Sequence, residues 1–369
     1  MTKYIWQKNN WTQFTWNQDA TLSLLLEAKK SQGLILAQAE KFELKELAEI
    51  IVDEAFTTSK IEGEDLDRNS IRSSVAKRLG LPSAGLPSSN KYSEGLVELL
   101  IDATSNYKSD LSAKTLYGWQ ASLFPTGFSG IHKIKVGCWR SGPIDVISGP
   151  MGREKVHYSA PKAENIPGLM KDFITWFNKN SEEIDGIIRA AIVHLWFITI
   201  HPFEDGNGRI ARAITDMALA QDEKTSKRLY SLSTQIIKNK KSYYDILEKT
   251  QKGNGDITDW LIWFLNSYIN SIKSSEELIE KSIFISNFFR FHRDTEISQR
   301  QLKVIKKLLE DYPDNFGDGI TNKKYVSITK VSSETAKRDL KDLVGKGVLI
   351  LNPKKGRSTS YRLNRDLPT

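Results

Sequence analysis

The chain has 369 residues, of which 39% are hydrophobic and 27% are charged, and its formal net charge is +8. These values are typical of a globular protein with two or three domains that each bury a core. No 18 apolar residues occur in succession and the start lacks a long apolar run. We therefore expect no membrane span and no secretory signal, and a cytoplasmic location. The single cysteine, Cys138, excludes an internal disulfide and a multi-cysteine zinc site, and we expect it to be buried.

The positive charge is concentrated at the C-terminal end. Residues 290–369 contain 18 Lys and Arg against 10 Asp and Glu, whereas the first 289 residues contain 35 of each sign. A neutral body with a basic tail predicts that the tail meets a polyanionic partner.

Helical periodicity dominates residues 1–100. The segment opens with aromatic residues that we expect to pack as an anchor, namely Trp6, Trp11, Phe14 and Trp16. A helix is predicted at 22–39 and another at about 44–63. One face of the second helix carries residues spaced three and four apart: Ile50, Ile51, Glu54, Ala55, Thr58 and Glu62. Gly63 then stops the helix, and Glu62 taken alone is a solvated charge at its end.

The middle of the chain changes character twice. Turn formers at 80–90 predict a linker or long loop, and helices are predicted at 92–104 and 113–123. Glycines and short β-branched runs at 127–161 predict a hairpin or flap, with 146–158 as the flap proper. A flap strand could hold an extended target segment by edge pairing.

Residues 165–265 predict a helical bundle, and a helical connector follows at 271–295. Ile188–Ile200 is apolar almost all round, which predicts a buried central helix. His194 within it is expected to be a satisfied core histidine. Tyr243 and Tyr244 are candidates to stack on a base, with core packing as the alternative for one of them.

The C-terminal segment 296–369 predicts a winged helix-turn-helix domain. Three helices, at 296–309, 323–329 and 332–344, precede two short strands joined by a basic turn. Its possible DNA contacts are Lys330, Lys337, Arg338 and Lys341 on the recognition helix, and Lys354, Lys355 and Arg357 at the wing tip. Their contact with phosphates would be electrostatic and salt-dependent. A winged helix that binds another protein is the alternative.

The densest group of chemically capable residues is HPFEDGNGRIAR, residues 201–212. His201 titrates near neutrality and can take a proton from a hydroxyl. Asp205 can hold a hard cation such as Mg²⁺. Gly206, Asn207 and Gly208 precede a helix, where backbone N–H groups and the helix dipole favour an anion.

Two arginines complete this loop. Arg209 and Arg212 are three residues apart on one helix face and can clamp phosphate oxygens. Phosphate binding, a metal and a base within twelve residues predict a phosphate-transfer site. The sequence lacks GxxxxGK[ST], GxGxxG, GxSxG, HExxH and a kinase-type catalytic loop, which argues against the enzyme classes that those motifs mark.

The loop resembles the signature of Fic-domain proteins, HPFx[DE]GNGRxxR, at every fixed position. Residues 58–63, TSKIEG, are similar to the [ST]xxxE[GN] inhibitory-helix motif that precedes some Fic cores. The aromatic opening and the basic tail resemble a bacterial subgroup with a small N-terminal domain and a C-terminal winged helix.

The resemblance implies transfer of AMP from ATP to a Ser, Thr or Tyr hydroxyl of a protein, and self-modification as well. It implies that His201 is the general base and that Asp205 holds Mg²⁺. It further implies that Gly206, Asn207 and Gly208 cradle phosphate, that Arg209 grips the γ-phosphate and that Arg212 supports the site. The resemblance also implies that Glu62 pairs with Arg209 and thereby inhibits AMP transfer.

The expected fold is mainly α, a Fic-type bundle with a β-hairpin flap and a small winged helix-turn-helix. Its expected domains are an N-terminal helical domain (1–90), a catalytic core (91–270), a connector (271–295) and the winged helix (296–369). Two alternatives stay open for function: removal of AMP from a modified protein by the same site, or a DNA-binding regulator with a nucleotide-sensing core. A homodimer is also expected.

Overall fold

The computed structural model describes residues 3–82, 84–149, 152–153, 155–179, 184–310, 319–352 and 359–366. The chain forms two compact units, residues 1–276 and 277–369. The fold is mainly helical with short antiparallel strands, as predicted. Among the residues so described, no helix is both long enough and apolar enough to cross a membrane.

The first unit is built from helices and two hairpins. The helices are α1 (Gln18–Ala37), α2 (Leu44–Ile61), α3 (Arg68–Leu79), α4 (Lys91–Ser105), α5 (Ala113–Leu123), α6 (Ile166–Lys179), α7 (Gly186–Ile200), α8 (Asn207–Glu223), α9 (Leu232–Lys238), α10 (Lys240–Gln251) and α11 (Thr258–Phe291), which continues into the second unit. The strands are β1 (Phe128–Ser129), β2 (His132–Lys133), β3 (Asp145–Ser148) and β4 (Lys155–Ser159).

The core of this unit is the antiparallel pair α7 and α8. Every residue of α7 is buried, which agrees with its apolar sequence. The carboxylate of Asp185 caps its N-terminus by accepting from the N–H groups of Ile187 and Ile188. Almost all of α8 is buried as well, although it contains arginines and an aspartate. Buried charged groups need partners, so we expect hydrogen bonds and ion pairs around the charged residues of α8.

Helix α2 packs against α3, α4 and α9 and is fixed at its midpoint. The buried carboxylate of Glu54 accepts hydrogen bonds from the Ser231 hydroxyl at 2.8 Å and from the Ser233 N–H at 3.1 Å. A second oxygen of Glu54 accepts from the Ser233 hydroxyl. These donors lie at the N-terminus of α9, where the helix dipole also favours an anion.

The hairpin of β3 and β4 is the predicted flap, with a register shift between Val146 and Ile147. The N-terminal aromatic segment supports its base. Trp6 donates its indole N–H to the carbonyl of Ser159 at 2.9 Å, and Tyr4 contacts Tyr158 edge to face. Cys138, expected to be buried, is exposed between the two hairpins. Its neighbour Trp139 packs against aromatic side chains instead, so the larger residue fills the interior position.

The second unit has its own apolar core. Its elements after α11 are α12 (Gln299–Glu310), β5 (Ile320–Thr321), α13 (Asn322–Thr329), α14 (Ser333–Gly345), β6 (Leu349–Leu351) and β7 (Ser360–Leu363), and the strand order is β5-β7-β6. Asp339 of α14 joins Arg300 of α12 at 2.6 Å and the Tyr325 hydroxyl of α13 at 2.9 Å. Three of the predicted DNA-contact residues, Lys354, Lys355 and Arg357, lie outside the described residues.

Candidate active site

The loop between α7 and α8 holds His201 in a strained and well-supported backbone conformation. His201 ends α7 with φ 52°, in the left-handed region that side chains other than glycine rarely adopt. Arg140 supports this conformation from the side. Its Nε donates to the carbonyl of His201 at 2.7 Å, and its backbone N–H donates to the carbonyl of Pro202 at 2.9 Å. The imidazole is therefore held in one position.

The hydrogen bonding of His201 leaves one ring nitrogen able to accept a proton. Nδ1 lies 3.2 Å from the carbonyl of Ile198, and a carbonyl can only accept, so Nδ1 carries the hydrogen. Burial lowers the pKa of His201, and Arg140 lowers it further, against the Ile198 carbonyl and two carboxylates that raise it. The ring is neutral at neutral pH, with its Nε2 lone pair available.

Asn207 has a structural role that the sequence did not reveal. Its side-chain oxygen accepts from the N–H of Phe203 at 2.9 Å and its side-chain nitrogen donates to the carbonyl of Phe203, also at 2.9 Å. The amide thus closes the loop on itself. In this position Asn207 offers its backbone N–H to the predicted phosphate cradle, beside Gly206 at φ 87° and Gly208.

Glu62 pairs with Arg212, so the expected pairing with Arg209 is wrong. Arg212, which is 2% exposed, donates from Nη2 to Glu62 Oε1 at 2.6 Å. Its Nε donates to the Thr58 hydroxyl, also at 2.6 Å. Thr58 and Glu62 are one helical turn apart near the end of α2, so Arg212 contacts both at once.

The carboxylate of Glu62 lies directly over the start of α8. A Cβ placed on Gly208 would come within 2.2 Å of Glu62 Oε1, so only glycine admits the carboxylate here. Burial alone would raise the pKa of Glu62, but Arg212, together with Arg209 and His201, lowers it below its usual value. An anion therefore occupies the place where a helix N-terminus binds phosphate.

Arg209 has a different carboxylate partner, Glu64. Arg209 Nη1 donates to Glu64 Oε2 at 2.6 Å, and the guanidinium lies over the ring of Phe124 at 5.0 Å. Gly63, at φ 81°, makes the turn that brings Glu64 back to the site, and the Glu64 N–H donates to the Ser59 carbonyl. Burial, with Asp205 and Glu62 nearby, raises the pKa of Glu64 although Arg209 opposes the shift.

Both arginines keep donors that no described residue satisfies. Arg209 Nε and Nη2 and Arg212 Nη1 are buried and have no hydrogen-bond acceptor within the described part of the chain. Buried donors are rarely left unpaired, because each costs about 1–3 kcal/mol when desolvated without a partner. These atoms therefore indicate room for an anion with more oxygens than the two carboxylates supply, such as a polyphosphate.

Asp205 is suited to hold Mg²⁺ beside such an anion. Its Oδ1 accepts from the Gly206 N–H at 2.5 Å, its Oδ2 accepts from the Ser129 hydroxyl, and the side chain is 40% exposed. Each oxygen uses one lone pair in these bonds and keeps another that a cation could use. Among the described residues no group of three or more His, Cys, Asp or Glu could hold a metal alone. One carboxylate plus substrate phosphates is the usual way in which proteins bind Mg²⁺, so the residues fit.

Of the other candidate residues, His194 and Tyr243 lie in the core and Tyr244 is partly exposed. His194 is a satisfied core histidine, as expected, with Thr215 at 3.0 Å and the Tyr243 hydroxyl at 2.8 Å. Burial lowers its pKa to about 3. Tyr243 is therefore a core residue and cannot stack on a base. Tyr244 is 37% exposed, and its hydroxyl lies 3.4 Å from the carbonyl of Ile61, beside Glu62.

Comparison with known proteins places this loop in a family. A model of the Fic/DOC family matches residues 110–219, which include His201 and both arginines, and a model of a domain of unknown function (DUF4172) matches residues 4–81. The chain is a Fic-domain protein. The Fic-domain match ends within α8, so it contains the loop but not Glu62 or Glu64, which lie in the DUF4172 match.

Solved Fic structures share the fold of this Fic-domain protein. A Fic family protein from Desulfovibrio desulfuricans matches 93% of this chain and 95% of its own, with a TM-score of 0.53 and 18% identity. A Fic-domain signalling protein from Bacteroides thetaiotaomicron matches 69% of this chain and 98% of its own, with a TM-score of 0.51 and 17% identity. At these identities the likeness concerns the fold.

Curated relatives of the Fic-domain protein are named as enzymes. A probable protein adenylyltransferase of Aquifex aeolicus is 28% identical over 96 residues, which are 26% of this chain and 27% of that protein. The protein adenylyltransferase fic-1 of Caenorhabditis elegans is 45% identical over 57 residues, 15% of this chain and 11% of that protein. The chain thus matches about a quarter of the length of the first relative and about a tenth of the length of the second.

Proposed function

We propose that the protein transfers AMP from ATP to a hydroxyl group of a target protein, and that Glu62 and Glu64 keep the resting site closed. One observation carries this proposal. Arg209 and Arg212, in the first turns of α8, are buried and keep donors without acceptors among the described residues. The carboxylate of Glu62 covers Gly208, where a phosphate would lie. The adenylyltransferase names of the matched relatives support nucleotide transfer as the reaction.

In the proposed reaction His201 Nε2 takes the proton of the target hydroxyl. The hydroxyl oxygen forms a bond to the α-phosphorus, and the bond from that phosphorus to the bridging oxygen breaks, which releases pyrophosphate. Arg209 and Arg212 bind the phosphate oxygens once Glu64 and Glu62 have moved away. Backbone N–H groups at the start of α8 face the phosphates and stabilise their charge. Mg²⁺ held by Asp205 would neutralise phosphate charge.

The position of the label in ATP tests the reaction type. We expect label from the α-phosphate of ATP to enter proteins of a lysate and label from the γ-phosphate to stay in solution, because AMP transfer keeps the α-phosphorus and releases the other two. The experiment is electrophoresis of the two reactions side by side with a Glu62→Gly variant. Incorporation of label from the γ-phosphate alone would show that the protein transfers phosphate as a kinase does, and would contradict the proposal. Release of AMP from a pre-modified protein by the unaltered chain would instead favour the alternative function, removal of AMP.

For the second unit we propose a winged helix that binds DNA. Lys337, Arg338 and Lys341 are exposed on α14, whose opposite face is buried through Ala336 and Leu340. We expect the full chain to retard duplex DNA in a gel, with an affinity that falls about tenfold or more between 50 and 200 mM salt. A charge-reversed variant, Lys337→Glu with Lys341→Glu, should not bind. Equal retardation by the variant would assign this face to another partner.

A further inference from the structure

A second group of chemically capable residues joins the flap to α10, outside the loop of His201. The hydroxyl of Ser148, in β3, lies 2.5 Å from His157 Nε2, and His157 Nδ1 lies 2.6 Å from Glu248 Oε2. Ser148 is exposed, whereas the side chains of His157 and Glu248 are about one quarter exposed, at 27% and 25%. A hydroxyl, an imidazole and a carboxylate in this order form the arrangement that activates a serine.

The protons in this trio can be assigned from Glu248. Hydrogen bonds from Lys252 and His157 lower the pKa of Glu248, so it is a carboxylate at neutral pH and can only accept. The hydrogen between Glu248 and His157 therefore belongs to Nδ1. In the neutral ring, Nε2 then carries the lone pair, and the hydrogen between Nε2 and Ser148 belongs to the hydroxyl. The serine oxygen is thus poised to lose its proton to His157.

Two elements, α10 and the flap, connect the trio to residues around the proposed AMP-transfer site. Glu248 follows Tyr244 by four residues on α10, about 6 Å along the helix axis, and the Tyr244 hydroxyl is 3.4 Å from the carbonyl of Ile61, next to Glu62. On the flap side, Tyr158 follows His157 and donates its hydroxyl hydrogen to the carbonyl of Thr199, two residues before His201. The elements that carry the trio therefore also carry side chains that contact α2 next to Glu62 and α7 next to His201.

We propose that Ser148 is an acceptor of AMP in this protein, with His157 as its base and Glu248 as the group that positions the imidazole. The proposal rests on the proposed function, which supplies ATP and the transfer reaction. The Ser148 oxygen bonds to the α-phosphorus of ATP, its proton passes to His157 Nε2, and pyrophosphate leaves. The product is a phosphodiester on an exposed strand of the flap.

The experiment combines intact mass and peptide sequencing of the full chain. We expect the Glu62→Gly protein, incubated with ATP and Mg²⁺, to gain about 329 Da on the peptide that contains Ser148, the mass of one added AMP group. Ser148→Ala should remove that modification, and His157→Asn should lower its rate by about 10²-fold, the usual scale for loss of a general base. Ser148→Thr should restore part of it, since threonine keeps the hydroxyl.

Ser159→Ala is the matched control. Ser159 lies in the same hairpin, but its hydroxyl faces Tyr4 at 3.3 Å and bonds to no imidazole or carboxylate among the described residues, so its loss should leave the modification of Ser148 unchanged. Labelling of lysate proteins by the Ser148→Ala chain reports that this variant is folded and active. AMP on other proteins or other residues, with Ser148 unmodified, would overturn the Ser148 assignment and leave the proposed function standing. AMP on no protein would overturn both.

Discussion

Replacing Glu62 by glycine should raise the rate of AMP transfer by about 10- to 100-fold. The charge-assisted hydrogen bond of Glu62 to the buried guanidinium of Arg212 is worth roughly 1.5–3 kcal/mol, and each 1.4 kcal/mol is about tenfold in an equilibrium. Its removal frees Arg212 and the backbone of Gly208 for phosphate. The measurement is the initial rate of incorporation of α-labelled AMP at fixed ATP.

Two further substitutions make this result specific. Glu64→Gln should raise the rate by less than Glu62→Gly, because glutamine keeps the shape but not the charge opposite Arg209, and Gly208 stays covered. Glu49→Gln is the matched control, since Glu49 lies on the same helix but pairs with Arg72 at its exposed side. A rate that rises equally in the Glu49 variant would mean that loosening of α2, and not release of the arginines, activates the enzyme.

Adding His201→Ala to Glu62→Gly should reduce AMP transfer to lysate proteins by about 10²- to 10⁴-fold, the range expected when a general base is lost. ATP binding should survive, since His201 is not among the groups that hold phosphate. Measuring transfer and nucleotide binding on the same samples separates chemistry from binding. His132→Ala, at an exposed position of β2, is the control and should leave both unchanged. Equal transfer by the double variant would refute His201 as the base.

The pH profile follows from the same residue. A base acts in its neutral form, and burial with Arg140 lowers the pKa of His201 below its ordinary value of 6.5. The acid limb of kcat/KM should therefore fall below pH 6.5, and activity should persist at pH 6. Because the Glu62 carboxylate raises this pKa, Glu62→Gly should move the limb to still lower pH.

The sequence was enough to group the residues of the loop, but it did not predict their pairings. His201, Asp205 and the two arginines are adjacent in the chain, so local spacing was enough to group them. Which arginine meets Glu62 depends on how α2 lies against α8, and these residues are about 150 positions apart. Arg209 and Arg212 share a helix face, and periodicity could not distinguish them. Glu64 was missed because it reaches Arg209 only through the turn at Gly63.

Neighbouring aromatic residues show a similar limit. Tyr243 and Tyr244 point about 100° apart on one helix, so at most one could face the core, as the sequence allowed. Only packing shows that it is Tyr243, through His194. Arg140 and Ser129 carry no recognisable signal in a single sequence, because each acts on the loop from a distant segment. Long-range support of this kind becomes visible only in three dimensions.

The hydrogen bonds of Glu54 have a consequence for how the proposed autoinhibition could be relieved. The buried hydrogen bonds between the midpoint of α2 and α9 would have to break before α2 could move as a whole, so that movement has a high free-energy cost. The turn that follows α2, residues 62–64, is short and can move without displacing the helix. Under the proposed autoinhibition, an activating signal then has only to shift an equilibrium of a few kcal/mol at these three residues, while α2 stays in place.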